Sequence, residues 1–325
     1  MANTKLQICM AWFFIGITIG SFGQQGAKKP ELIKLPFAFS RTDREPMENT
    51  PVLFNSRLLM IANFRPSGGS NVNEKDSYLY IDDLHTGEEI LRFGSAHSFV
   101  SAFVNGSELN VFALDFTASG KVWEASGIDR FVTSDLKNWE TEKVILPDGN
   151  ENLFNNSVCR DDKGYVMAYE SDKPVKFCFK FARSKDLAKW DKISDLAYTG
   201  ENNEYSACPV IRYFKPYYYV IYLHSPTPGH NGWITCMSRS KDLVNWELSP
   251  YNPVLEADEK KGEGINNSDV DILEYEGRTY LYYATGDQAT WSTIRVAMYD
   301  GLMKPFYENH FPKGVVLRRI STKYQ

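Results

Sequence analysis

The chain has 325 residues and a net charge of −5 with no basic block, which argues against a nucleic-acid or anionic-membrane partner. At roughly 150 residues per domain this length allows two domains, but a single all-β domain also fills it. Aromatic residues make up 14% of the chain, a level expected of β-rich folds and of surfaces that stack on flat ligands.

Residues 1–23 read as an export signal: Lys5 supplies the positive start, "ICMAWFFIGITIG" the apolar stretch, and "SFG" small residues for cleavage. The apolar run is shorter than the ~20 residues a membrane-spanning helix needs. Cys9 lies inside the run rather than after it, which argues against a lipid anchor. A secreted or periplasmic chain is expected, with no membrane partner after cleavage. Residues 24–45 then form an N-terminal extension, and residues 46–325 a single domain.

The first strand of that domain follows "MENTPV", which carries Glu48 and Asn49. "PVLFNSRLLMIANFR" (51–65) reads as strand, turn, strand, and "YLYIDDLHTGEE" (78–89) adds a third strand ending in Asp83-Leu84. His97 in "GSAHSFVSA" opens the next unit, "SAFVNGSELNVFALDF" (101–116) is its hairpin, and "RFVTSDLKNWE" (130–140) ends it. "FNNSV" brings Asn155 and Asn156, followed by the hairpin "SVCRDDKGYVMAYES" (157–171) and "KFARSKDLAKWD" (180–191). Glu204 and Tyr205 lie in "NNEYSACPV"; "PVIRYFKPYYYVIYLHS" (209–225) and "TCMSRSKDLVNWE" (235–247) complete a fourth unit. "GINNSDVDI" opens a fifth with Asn267, Asp269 and Asp271, then "VDILEYEGRTYLYYATGD" (270–287), Trp291, and a looser Asp300…Leu302 in "RVAMYDGLMKPFYE".

The matching aspartates, Asp83, Asp135, Asp186, Asp242 and Asp300, are separated by 52, 51, 56 and 58 residues. Five units of four antiparallel strands repeated around an axis make a five-bladed β-propeller, all-β. The shared Asp caps a turn, and the shared Leu and Trp pack blade on blade. Function is to be sought in residues unique to one blade.

The Ser-x-Asp-Leu-x-x-Trp repeat resembles that of the five-bladed propeller glycoside hydrolases, families 43, 32, 68 and 117 among them. The resemblance spans nearly the whole mature chain. It implies an enzyme, a glycosidase, with acidic residues on the innermost strands around a central pocket. In family 43 an Asp of the first blade is the base, an Asp of the third tunes and orients, and a Glu of the fourth, in Glu-x-Pro, is the acid. Those positions fall here at Asn49, with Glu48 beside it, at Asn155, and at Ala207, with Glu204 three residues earlier. The triad therefore does not carry over residue by residue.

Asp269 is the first catalytic candidate, because "NNSDVD" is more polar than the start of a buried strand requires. The alternative is an Asp capping a strand-end turn. Asp271, two residues on, faces the same side of a regular strand, where like charge would raise one of the pair. Glu204 and Glu48 are the partner candidates for acid and base; each also reads as a solvated loop carboxylate. Asn49, Asn155, Asn156 and Asn267 suit sugar hydroxyls, since an amide both donates and accepts, or else form turns. Tyr205 and Trp291 offer stacking faces, or core and rim packing. His97 offers a polar pocket group, or a satisfied structural histidine.

No metal site is expected: His224 and His230 lack an acidic or cysteine cluster. No cofactor is expected either, and no motif supports the axial Ca²⁺ seen in some relatives. Cys159, Cys178, Cys208 and Cys236 lie in apolar segments and read as buried free thiols, although an even count permits disulfides. The reading is an exo-acting secreted glycoside hydrolase with a plant or algal oligosaccharide as substrate. The alternatives are a non-catalytic carbohydrate-binding propeller and a propeller polysaccharide lyase, for which His97 and Tyr205 would matter more.

Overall fold

In a computed structural model, the structure describes residues 28–39, 46–66, 73–175, 177–200, 205–224, 232–287 and 290–322. Five antiparallel sheets are the five blades of a propeller. Blade one is Asn49–Phe54, Arg57–Phe64, Tyr78–Asp83 and Glu89–Phe93; blade two is His97–Asn105, Glu108–Asp115, Ile128–Thr133 and Glu140–Ile145. Blade three is Leu153–Asp161, Gly164–Ser171, Cys178–Ser184 and Trp190–Tyr198; blade four is Ser206–Phe214, Tyr217–His224, Ile234–Ser240 and Asn245–Leu248. Blade five is Asn266–Tyr275, Arg278–Gly286 and Ser292–Tyr299. Its fourth strand is Ile33–Phe39, from the segment read as an extension, paired antiparallel with Ser292–Tyr299. The ring is thus closed by the N-terminal part of the chain, which ties first and last blades together.

The fifth sequence copy also ends differently from the others. After Asp300 the chain turns into a short helix, Met303–Asn309, which buries Phe306 and Tyr307 between blades four and five. The strand Arg319–Ser321 then adds a fifth strand to the outer edge of blade four.

Five apolar clusters fill the five blade interfaces, and the innermost strands touch in ring order, the last against the first. The repeated turn does what its composition suggests. Asp186 Oδ1 accepts the backbone N–H groups of Ala188 and Lys189 at 3.0 and 2.8 Å, and Asp242 Oδ1 those of Val244 and Asn245 at 2.9 and 2.7 Å. Leu136, Leu187 and Leu243 sit in the left-handed region at φ of +63°, +67° and +64°, a strained conformation that the turn's hydrogen bonds hold in place. The Trp190 and Trp246 indoles donate to the carbonyls of Leu187 and Leu243. Trp246 stacks on Phe181 of the preceding blade, and Trp139 on Phe93. Because strands alternate in direction, these turns lie at the end of the propeller opposite the start of the innermost strands. The repeat builds the scaffold and leaves the other end for loops unique to each blade.

Candidate functional site

At that other end the innermost strands of four blades break register. The pairing with the second strand shifts between Ser98 and Ser101, Leu153 and Asn156, Ala207 and Val210, and Ser268 and Asp271. Each shift is a bulge, which re-aims a side chain that regular pleating would turn elsewhere. Phe99, Cys208 and Asp269 take φ of +57°, +53° and +47° at the bulges, sterically disfavoured for residues with a Cβ. The innermost pair of blade one keeps its register from Asn49 to Phe54, and brings Glu48 and Asn49 to the same end.

Glu48, Asn49, Asn155, Asn156, Cys208 and Asp269 are among the residues lining a cavity of about 30 Å³ on the axis. That volume suits a water molecule or two, not a sugar ring. Asp269 Oδ1 accepts from Cys208 Sγ at 3.0 Å and Oδ2 from Ser268 Oγ at 2.6 Å. Both of its oxygens act as acceptors. Glu48 Oε2 accepts from Asn63 Nδ2 at 3.1 Å and Oε1 from Arg65 Nη1 at 3.3 Å. Burial pushes the Glu48 carboxyl above its ordinary range, Arg65 opposes this, and Asp269 adds to it. Arg65 is fixed in turn by Glu74, at 3.0 and 2.7 Å, and lies over the Phe99 ring at 4.3 Å.

A third carboxylate, absent from the sequence-based candidates, completes the group. Glu170 belongs to the second strand of blade three, opposite the bulge at Phe154-Asn155, and is 2% exposed. Its Oε2 accepts from Asn155 Nδ2 at 3.0 Å and from the backbone N–H of Cys208 at 3.1 Å. Burial pushes Glu170 up to about 8; its two hydrogen bonds oppose the shift, and Asp269 and Glu48 add to it. Like-charge repulsion from blades one and five is felt on blade three, so the three carboxyls form one electrostatic unit. "AYES" gave no sign of this, since Glu170 alternates like any second-strand residue until the bulge opens the layer in front of it.

The other sequence-based candidates divide. Asn155 reaches Glu170 and, at 3.3 Å, Cys208 Sγ. Asn49 donates to the Asp269 carbonyl at 2.9 Å, stitching blade one to blade five, and its buried Oδ1 has no hydrogen-bond partner among the described residues. Asn156 joins blades two and three, accepting from Ser101 at 2.6 Å and donating to the Phe99 carbonyl at 3.3 Å. Asn267 is fully buried and accepts from Thr235, outside the cavity lining. Asp271 lines the cavity but is held in an ion pair with Arg212 at 2.7 Å; burial raises it, and Arg212 opposes that. The register breaks between Ser268 and Asp271; both aspartates line the cavity, but they keep different partners.

Tyr205 stacks on Trp233 at 4.8 Å and meets Phe177 edge-on at 4.8 Å. Phe177 leads on to Phe154 and the half-exposed Trp123, an aromatic arc across blades two to four. Burial raises the Tyr205 hydroxyl, and Glu170, Cys208 and Asp269 add to it. Trp233 is pinned by Asn266 and Asn267, through its N–H to Asn266 Oδ1 and its carbonyl to the Asn267 N–H. Trp291 is exposed, on the loop between the second and third strands of blade five. Glu204, His230 and residues 1–23 lie outside the described residues.

His97 lies outside the cavity lining, in blade two, bonded to the Ser95 carbonyl at 2.8 Å and Asp129 at 3.1 Å. Asp115 completes a His-Asp-Asp cluster, and Lys143 Nζ sits 2.6 and 2.8 Å from the two aspartates, where a cation would. Cys159, Cys178 and Cys236 are buried free thiols; Cys208 is free and only half-buried, on the axis.

No protein-family model matches the sequence, and no curated protein matches it. Solved structures do. A glycoside hydrolase superposes at a TM-score of 0.62 with 14% identity, over 83% of this chain and 93% of the other. A thermostable family-43 glycoside hydrolase superposes at 0.59 with 12% identity, over 86% and 95%. An exo-1,5-α-L-arabinanase from a bovine ruminal metagenomic library superposes at 0.53 with 10% identity, over 79% and 95%. The likeness fixes the fold. At such identities the chemistry rests on the residues of this chain.

Proposed function

We propose that the chain is a glycoside hydrolase that works by carboxylate acid/base catalysis in the axial pocket. The observation that carries this is the convergence of three carboxyls from three blades: Glu48 and Asp269 line the cavity, and Glu170, buried behind it and pushed up to about 8, is bonded to the lining residues Asn155 and Cys208. Glycosidic cleavage needs one carboxyl to protonate the leaving oxygen and a second to activate water or attack. Glu170 is the acid. Its Oε2 is occupied by two N–H donors, so the proton rides on Oε1. Asp269, acceptor at both oxygens, is the basic partner. Glu48 keeps the Glu170 proton in place by repulsion and is itself steadied by Arg65.

The small cavity supports exo-action: it has room for water, and the Tyr205–Trp233 arc, outside its lining, offers the stacking face for a chain-end sugar. One structural neighbour is an exo-arabinanase, which fits a plant or algal oligosaccharide as the substrate class. The N-terminal signal pattern supports a mature chain outside the cytoplasm, in the periplasm or secreted. This chemistry calls on no cofactor, nucleic acid or membrane.

The test is sugar release from a panel of plant and algal oligosaccharides by wild type, Glu170→Gln and Asp269→Asn. Release by wild type and loss in both variants is expected. Equal release by all three would remove these carboxylates from the mechanism. Binding without release by wild type would leave a carbohydrate-binding propeller.

A further inference from the structure

Cys208 lines the axial cavity, and the acid/base scheme gives it no task. It occupies the bulge of blade four's innermost strand, at φ +53° and just before Pro209. That conformation turns the side chain across the axis, where its sulfur is 3.0 Å from Asp269 Oδ1 and 3.3 Å from Asn155 Nδ2. Its backbone nitrogen is 3.1 Å from Glu170 Oε2. A thiol that merely filled space would be surrounded by carbon, as a small apolar side chain is. This sulfur instead has a donor on one side and a carboxylate on the other. Burial, then Asp269 and Glu170, push the thiol well above its ordinary range, so it keeps its proton and donates it.

We propose that Cys208 is the positioning residue of the carboxylate pair, its S–H orienting Asp269 and its N–H orienting Glu170 so that one bulge sets both groups. This rests on the glycosidase reading for its consequence, though not for its geometry. Asn155 donates to the sulfur and also to Glu170, so a triangle of Asn155, Cys208 and Glu170 stands behind Asp269. Oε2 of Glu170 is held by two N–H donors, and Asp269 accepts at both oxygens, Oδ1 from Cys208 and Oδ2 from Ser268. The strained φ is a cost that a simple wall residue would not need.

Infrared spectroscopy of the S–H stretch tests the geometry without a substrate. Wild type minus Cys208→Ser isolates the Cys208 band from those of the other thiols. The band is expected below that of an unbonded thiol, and it should move when Asp269→Asn replaces the carboxylate acceptor. A band at the unbonded position, or one indifferent to Asp269→Asn, overturns the proposal.

Kinetics then tests the consequence. Cys208→Ala should lose roughly tenfold in kcat, with KM within about twofold and an altered pH–rate profile. Cys208→Ser, which restores a donor, should recover most of the rate and the wild-type profile. Equal rates and profiles in wild type and Cys208→Ala overturn the proposal. Should no panel sugar be released even by wild type, the glycosidase reading fails while the infrared result still decides the positioning. Ala tolerates the same φ as Cys; should Cys208→Ala nevertheless not fold, wild type, Cys208→Ser and Asp269→Asn suffice for the infrared comparison.

Discussion

Replacing Glu170 by Gln tests the electrostatics of the pocket apart from any substrate. Gln reproduces the shape of the protonated acid: its oxygen can accept from Asn155 and Cys208, and its NH₂ stands where the proton would be. The folded-state value is about 8 against 4.5 for the free group. A carboxyl raised on folding binds more protons in the native state between those two values, so native stability falls as pH rises through the window. The contribution is fully present below about pH 4.5 and lost above about pH 8. At pH 7 the native state has forfeited roughly 3 kcal/mol to this group, and above pH 8 about 4–5 kcal/mol. Glu170→Gln removes the titration. It should therefore match wild type in thermal melts at pH 4 and exceed it at pH 7, by on the order of 5 °C. The same variant should have no glycosidase activity, because an amide has no acid proton to give, while it gains stability by losing the raised titration. A variant less stable than wild type at pH 7, or a difference that does not grow with pH, would refute the assignment of Glu170 as a buried, protonated acid.

Asp271→Ala should destabilise the fold by about 3 kcal/mol in chemical denaturation, because it strands Arg212 at the joint between blades four and five. Asp242→Ala removes the acceptor for two backbone N–H groups and should cost about 1 kcal/mol, read as a lower denaturation midpoint. Its kcat/KM should be unchanged, because that turn lies at the far end of the propeller. Trp233→Ala should raise KM for an oligosaccharide about tenfold in steady-state kinetics and change kcat much less, since the ring stacks on Tyr205 in the arc proposed to carry the sugar.

Legibility followed the kind of interaction involved. The Asp-Leu-x-x-Trp turn is local: Asp186 bonds residues two and three ahead, and Trp190 bonds one three behind. Contacts of that range are written in the sequence, and their repetition gave the five blades. The exception was the last copy, where Asp300 begins a turn into a helix because the closing strand comes from Ile33–Phe39. Of the site, Asp269, Glu48, Asn155 and Tyr205 were legible because they crowd polar or aromatic chemistry into the start of innermost strands. Asp269 stood out for the polarity around it, and the structure gives it the strained φ of +47° on the axis. Asp271 and Asn267 carried the same polar signal but serve blade joints, since alternation cannot be followed through a bulge.

The sequence by itself determined the propeller, because each blade is specified by turn chemistry and apolar alternation within some fifty residues. It also marked the end of the propeller that the repeats leave to blade-specific loops. Only the tertiary structure brought Glu170, Cys208 and Asp269 together, residues separated by up to 99 positions and carried on three blades. Their meeting depends on register: a one-residue bulge sends a side chain to the axis or into the blade, and no local residue pattern fixes that choice. The upward push on the Glu170 carboxyl arises the same way, from burial and from Asp269 and Glu48 on other blades.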